Sequence, residues 1–341
     1  MRSRAVKRSD IAAAAFGVFL CVLLLFLAET GTRHFWKEPL LPDVHYADDY
    51  FFTDGFGITK PKPSGRYHTV SRSAVTGNSI YDVTYSVDDL SRRITPVDKT
   101  EGRGRHLIFF GCSFTYGEGL QDDQTIPART AARARGFMPY NYAFHGHSPT
   151  DMLRKLQSKT LPGEVAEKNG DLAYIFIDAH LQRVVGSMRL STSWGKNRLH
   201  YELGPRDELV LKGDFQHSRP VLNRIYTTLS KSALLKFLKI DFPPRFTRRH
   251  YHLTARVIEE SARLYKEQFP GGNFFVVIYP GSLFGKPLAR ELTSAGIQIL
   301  DYSDLFNTGD LSYVLSPEDL HPSAKADDAV AARLARDLRL D

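Results

Sequence analysis

From Gly104 onward, apolar runs the length of a β-strand alternate with segments of helical periodicity, and this alternation limits the fold more than any other feature of the 341-residue chain. The runs are His106–Phe110, Tyr140–Phe144, Leu172–Asp178, Asn273–Tyr279 and Ile297–Asp301. A strand that is apolar along its whole length must be covered on both faces, which is the situation of a parallel sheet between two helical layers. Helical segments are expected over Ile126–Phe137, Thr150–Leu161, Tyr251–Phe269, Leu288–Ala295 and Ala324–Leu340. The spacing predicts an α/β protein, a three-layer α/β/α sandwich with a five-stranded parallel sheet. With 42% hydrophobic residues the chain can bury one full core and a smaller second one.

More than 90 residues separate the third run from the fourth, far more than a crossover helix needs, so an insertion is expected at about 181–249. Within it, Leu222, Ile225, Leu229, Leu234, Leu235 and Leu238 recur at roughly helical spacing over Val221–Ile240. That pattern favours an amphipathic helix packed on the main domain; a lid or a membrane-facing flap is the alternative.

The N-terminus carries a second constraint. Residues Ile11 to Ala28 are 18 consecutive apolar or small residues, a length that matches the ~30 Å hydrocarbon core of a bilayer. Arg2, Arg4, Lys7 and Arg8 precede them, so the positive-inside rule leaves residues 1–10 in the cytoplasm, makes 11–29 a transmembrane signal anchor and exports the rest. The expected location is a single-pass cytoplasmic (inner) membrane protein with its main domain periplasmic. No small-x-small cleavage site follows the span, which argues against a removed signal peptide. Residues 30–103 read as a β-rich segment, with alternation from Ser79 to Ser86, and residues 104–341 as the α/β domain. Cys21 and Cys112 are too few for a disulfide framework, and the formal charge of +7 comes from basic residues scattered among acids.

Reactive groups in an open parallel sheet sit on loops leaving the carboxyl ends of strands. The first such loop reads Gly111-Cys112-Ser113-Phe114-Thr115-Tyr116-Gly117-Glu118-Gly119. The second holds Asn141, His145, Gly146 and His147, the third Asp178-Ala179-His180, and Asp319-Leu320-His321-Pro322 precedes the last helix. In this order the residues resemble the SGNH (GDSL-like) hydrolase family, with Gly111, Ser113, Phe114 and Gly117 in its first motif, Asn141 and Gly146 in the second, and Asp319, His321 and Pro322 in the last. The resemblance covers Gly104 to the C-terminus and implies a flavodoxin-like sheet. It further implies Ser113 as nucleophile, His321 as general base and then acid, and Asp319 as the group orienting the imidazole. It places the backbone N–H groups of Ser113 and Gly146 at an oxyanion, and Asn141 at the oxyanion or near substrate.

The sequence departs from that pattern twice. Cys112 replaces the usual aspartate of the first motif and is expected to be a buried apolar residue. The asparagine of the third motif is absent, so His180 is expected at the oxyanion or against substrate, with Asp178 holding its ring. Because Asp178/His180 and Asp319/His321 share one spacing, either histidine could serve Ser113, and the proline and helix after His321 favour the latter. The function expected is a membrane-anchored serine esterase or acyltransferase acting on an acyl group, such as O-acetyl, of a cell-envelope glycan or lipid. The alternative is a non-catalytic binding or assembly subunit of the same fold. No cofactor or metal is expected, since neither a phosphate-binding glycine motif nor a zinc spacing occurs. Nucleic acid is not an expected partner.

Overall fold

The computed structural model describes residues 8–292 and 297–339. Residues 11–28 of helix α1 (Arg8–Phe35) are apolar on every side and exposed throughout. Among the described residues it is the one helix long and apolar enough to cross a membrane. Arg2, Arg4 and Lys7 lie outside the described residues.

A β-rich segment follows, formed by β1 (Asp43–Tyr46), β2 (Phe51–Thr53), β3 (Thr59–Pro61), β4 (Gly65–Arg72) and β5 (Ser79–Val87). Strands β1, β4 and β5 form an antiparallel sheet, and β2 and β3 a separate hairpin. Along β5 the buried residues Tyr81, Val83, Tyr85 and Val87 alternate with more exposed ones, the period-two pattern of a sheet covered on one face. What covers them is the loop region of the α/β domain: Tyr50, Tyr81, Val83 and Tyr85 pack with Tyr116 and Phe144.

The α/β domain runs β6 (Arg105–Phe110), α2 (Ser113–Tyr116), α3 (Ile126–Arg133), β7 (Phe137–Asn141), α4 (Pro149–Gln157), α5 (Leu161–Glu164), β8 (Gly170–Phe176) and α6 (Asp178–Val185). An excursion then passes through α7 (Met188–Ser191), β9 (Leu199–Leu203), β10 (Leu209–Asp214), α8 (Phe215–Ser218), α9 (Pro220–Leu229) and α10 (Ala233–Phe237). Helix α11 (Arg248–Gln268), β11 (Asn273–Ile278), α12 (Gly285–Glu291), β12 (Ile297–Asp301) and α13 (Ala324–Asp337) complete the chain. The five-stranded sheet has the order β12-β11-β8-β6-β7 and is parallel throughout. Chain order reverses between β6 and β8, and ligands of such sheets bind outside the carboxyl ends of the strands at that reversal.

The pleat of β6 divides the core. Ile108 and Phe110 join Leu153, Leu156, Leu181, Ala255 and Ile258 of α4, α6 and α11 on one face. Leu107 and Phe109 join Ile126 of α3 and Val330 and Leu334 of α13 on the other. The expected three-layer sandwich is therefore present, and Cys112 is fully buried in the second of these clusters.

Three local expectations shift. The second strand begins at Phe137 and not Tyr140, because α3 stops at Arg133 and leaves Phe137 to enter the sheet. It ends at Asn141, whose side-chain oxygen accepts from the Ala143 N–H at 3.1 Å and turns the chain. The third strand stops at Phe176, since Asp178 already opens α6. The single helix expected over Val221–Ile240 is two helices, divided at Ser232, whose hydroxyl caps α10 by accepting from the Leu235 N–H at 3.1 Å. Part of the expected segment Leu288–Ala295 lies outside the described residues.

Candidate active site

Beyond β6 the chain makes a turn that only this sequence of small residues permits. A Cβ on Gly111 would fall 2.1 Å from the Thr115 hydroxyl oxygen, so residue 111 has to be glycine. Cys112 is extended, α2 begins at Ser113, and Gly117 closes the turn at φ 88°, a backbone region open to glycine. The loop is fixed from behind by Arg93, a buried guanidinium that donates to the carbonyls of Tyr116 (2.8 Å), Gly117 (2.6 Å) and Leu120 (2.6 Å) and to the Asp122 carboxylate (3.0 Å). Arg93→Met would leave three carbonyls and a carboxylate without their partner. It is expected to destabilise the full chain by about 3–5 kcal/mol in denaturant unfolding.

The other half of the site comes from the loop before α13. Ser316 Oγ accepts from the N–H groups of Glu318 and Asp319 at 3.1 and 3.0 Å, and Ser73 of the β-rich segment donates to the Glu318 carboxylate at 2.6 Å. In this geometry the Asp319 carboxylate accepts from His321 Nδ1 at 2.6 Å and from the His321 N–H at 3.1 Å. His321 Nε2 lies 2.9 Å from Ser113 Oγ. With Nδ1–H given to a carboxylate, Nε2 is the lone-pair nitrogen and accepts the hydrogen bond of the Ser113 hydroxyl. Burial alone would lower the pKa of His321, but the Asp319 hydrogen bond and the Glu118 and Asp319 charges outweigh it and Arg183, so the pKa stands above the usual 6.5.

Solved structures similar to this chain include a lipolytic protein of the G-D-S-L family from Veillonella parvula, at 12% identity over 69% of this chain and 97% of that one, with a TM-score of 0.39. They also include an acetyl xylan esterase from the rumen bacterium Butyrivibrio proteoclasticus, at 10% identity over 76% of this chain and 66% of that one, with a TM-score of 0.40. A salicylyl-acyltransferase from a tetracycline biosynthetic pathway matches at 12% identity over 89% and 74% of the two chains, with a TM-score of 0.39. No family model and no curated protein matches the chain. Identity and superposition at this level carry nothing about substrate, which has to be read from the residues at the strand ends.

In this three-layer α/β fold the sequence-predicted residues divide into two sets. Ser113, Asp319 and His321 come together as described. Gly146 adopts φ 69° on the loop after β7, and neither its N–H nor that of Ser113 is used in a hydrogen bond among the described residues. Asn141, expected near substrate, is buried and donates to the Thr115 carbonyl at 3.3 Å, so it joins two loops and faces no ligand. The expected pairing of Asp178 with His180 is also corrected. Both lie in helix α6, where residues two apart point in different directions. His180 is fully buried, with Nδ1 2.6 Å from the Tyr174 hydroxyl, and burial drives its pKa well below the usual value. Asp178 turns the other way and accepts from the Ser282 hydroxyl and from the N–H groups of Leu283 (2.9 Å) and Phe284 (3.0 Å), tying the loops after β8 and β11 together.

Several residues the motifs do not mark complete the surroundings. Glu118, buried one residue beyond Gly117, meets the His145 ring and accepts from Tyr81 at 2.7 Å and Tyr46 at 3.0 Å. Against the opposing effect of burial, His145 and Tyr81 hold its pKa at about 2. Arg183 of α6 donates to the His147 carbonyl at 2.8 Å and lies 5.6 Å from the exposed Trp194 ring. Trp194 covers Gly146, where a Cβ would stand 2.6 Å from the indole. His147 Nε2–H donates to the Thr59 carbonyl at 2.6 Å, and burial lowers its pKa to about 4. Among the described residues no three His, Cys, Asp or Glu side chains gather as a metal site would require. The available signal was adjacency, since Glu118 follows the first-motif glycine and His145 precedes Gly146.

Proposed function

We propose that this protein is a membrane-anchored serine esterase or acyltransferase that removes or moves an acyl group, such as acetyl, on a cell-envelope glycan or lipid. The observation that carries the proposal is the continuous chain Ser113 Oγ to His321 Nε2 at 2.9 Å and His321 Nδ1 to Asp319 at 2.6 Å, at the carboxyl end of the sheet. In the reaction proposed, Ser113 Oγ attacks the ester carbonyl carbon while its proton passes to His321 Nε2. The N–H groups of Ser113 and Gly146 receive the developing oxyanion. His321 returns the proton to the departing alkoxide, leaving an acyl group on Ser113, then deprotonates the water or sugar hydroxyl that takes the acyl group and passes that proton to Ser113 Oγ as the acyl–serine bond breaks. Asp319 holds the ring through Nδ1.

Helix α1 supplies the anchor in this reading, with residues 1–10 cytoplasmic and the SGNH-like domain periplasmic. Trp194 is 58% exposed over Gly146, a position from which an indole can lie on the face of a sugar ring. Incubating the full chain with an acetylated glycan and following Ser113-containing peptides by mass spectrometry tests the chemistry: the peptide should carry one acetyl group in a trapped intermediate, and an acetyl group found only elsewhere rejects the nucleophile. Trp194→Ala should raise KM for the glycan ester about tenfold, roughly 1.4 kcal/mol, while turnover of a small aryl acetate stays the same. An equal effect on both substrates would remove the indole from glycan binding.

A further inference from the structure

The excursion between β8 and β11 is fastened to the end of the apolar helix. The Glu29 carboxylate caps the first turn of α10, accepting from the Ser232 hydroxyl at 2.7 Å and from the N–H groups of Ala233 and Leu234 at 2.9 and 3.0 Å. Arg33 donates to the Lys231 carbonyl at 2.6 Å, Lys236 pairs with Glu38 at 2.7 Å, and Trp36 meets Phe237 edge to face at 5.8 Å. Glu29 immediately follows Ala28, the last residue of the apolar run. At 1.5 Å of rise per residue, the turn joining α9 to α10 must lie within roughly one helical turn, about 5 Å, of the point where α1 leaves the hydrocarbon.

At this level the two helices leave apolar side chains about half or more exposed among the described residues. Val221 and Ile225 stand one turn apart on α9, 74% and 49% exposed, and Phe237 and Leu238 at the end of α10 are 50% and 53% exposed. Arg224, Lys231, Lys236 and Lys239 are interspersed with them and exposed, and no acid occurs between Arg219 and Asp241. Apolar side chains among exposed cations, with no acids between them, describe a surface for the headgroup region of an anionic bilayer. We infer that the α9–α10 pair beds into the membrane interface beside α1, so that the domain is held to the lipid surface at two places and has a fixed orientation over it. The occupant is the lipid surface, since the bilayer entered by α1 begins where α10 is capped.

This inference rests on α1 spanning the membrane, and the experiment separates the two. The full chain is reconstituted into vesicles containing phosphatidylglycerol with doxyl-labelled lipid, and an environment-sensitive dye is read at single cysteines. Native Cys21 in α1 is exposed and Cys112 is buried, so wild type labelled at Cys21 reports the span. In a Cys21→Ser background, dyes at Val221→Cys and Phe237→Cys should lose most of their emission to the quencher. A dye at Glu267→Cys should keep its emission, because Glu267 lies near the C-terminal end of α11, about 30 Å of helix from Arg248, where the chain enters α11 after leaving α10 at Phe237. Quenching at Cys21 with none at 221 and 237 overturns the inference and leaves the anchor standing. Absence of quenching at Cys21 removes the anchor and the inference with it. Protection of 221 and 237 that grows with protein concentration and not with lipid overturns the inference in favour of a second copy of the chain.

Discussion

Ser113→Ala is expected to lower acetyl-ester turnover by roughly 10⁴- to 10⁶-fold while leaving the unfolding midpoint of the chain unchanged. The size follows from what the hydroxyl does. In the proposed reaction it is the atom that bonds to the acyl carbon, and without it only binding and the oxyanion donors would still act on the substrate. The lack of a stability effect follows from its contacts. Among the described residues Ser113 Oγ hydrogen-bonds to His321 Nε2 alone, whereas the turn around it is held by Arg93, Gly111 and Gly117. Turnover is read with a chromogenic acetate and checked with a serine-reactive phosphonate, which should label wild type and not the variant. A variant that keeps a tenth of the wild-type rate would show that another group attacks the ester. Cys112 is a poor candidate for that role, being fully buried in the core behind the turn.

The sequence made the sheet and the Ser113–His321–Asp319 set legible for the same reason: both are written as order along the chain. Apolar runs give strands, and the residues after each run fall on one rim. The pair Asp178/His180 misled because spacing alone does not say whether two residues share a side. In the irregular loop before α13 the backbone at Asp319 lets its carboxylate fold back onto the His321 ring, but the same acid-x-histidine spacing in α6 sends one side chain to the Ser282 loop and the other into the core. The helical pattern following His180 was the available warning. Arg93, Tyr46 and Tyr81 were illegible for a different reason. They belong to a segment with no motif of its own, and their partners are backbone carbonyls and a carboxylate that only the folded loop brings within reach. A buried arginine in a β-rich stretch looks like a surface charge until its acceptors are in place.

The second large effect concerns the proton. Asp319→Asn is expected to lower kcat by about 10⁴-fold near neutral pH. An amide at residue 319 can donate to Nδ1, which moves the ring proton to Nε2 and leaves no lone pair facing Ser113. The pH profile should change as well. His321 acts as a base only when neutral, so its raised pKa places the acidic limb of kcat/KM above pH 6.5, with activity lost as the pH falls through that limb. Removing the Asp319 charge and hydrogen bond moves the limb of the residual activity toward lower pH. Glu118→Gln separates the two contributions. It deletes a charge that raises the His321 pKa but touches neither ring nitrogen of His321, so the limb should also move down while the plateau rate falls far less than in Asp319→Asn. A profile unmoved by either substitution, with the plateau intact in Asp319→Asn, would mean that the imidazole serving Ser113 is neither oriented nor tuned by these carboxylates.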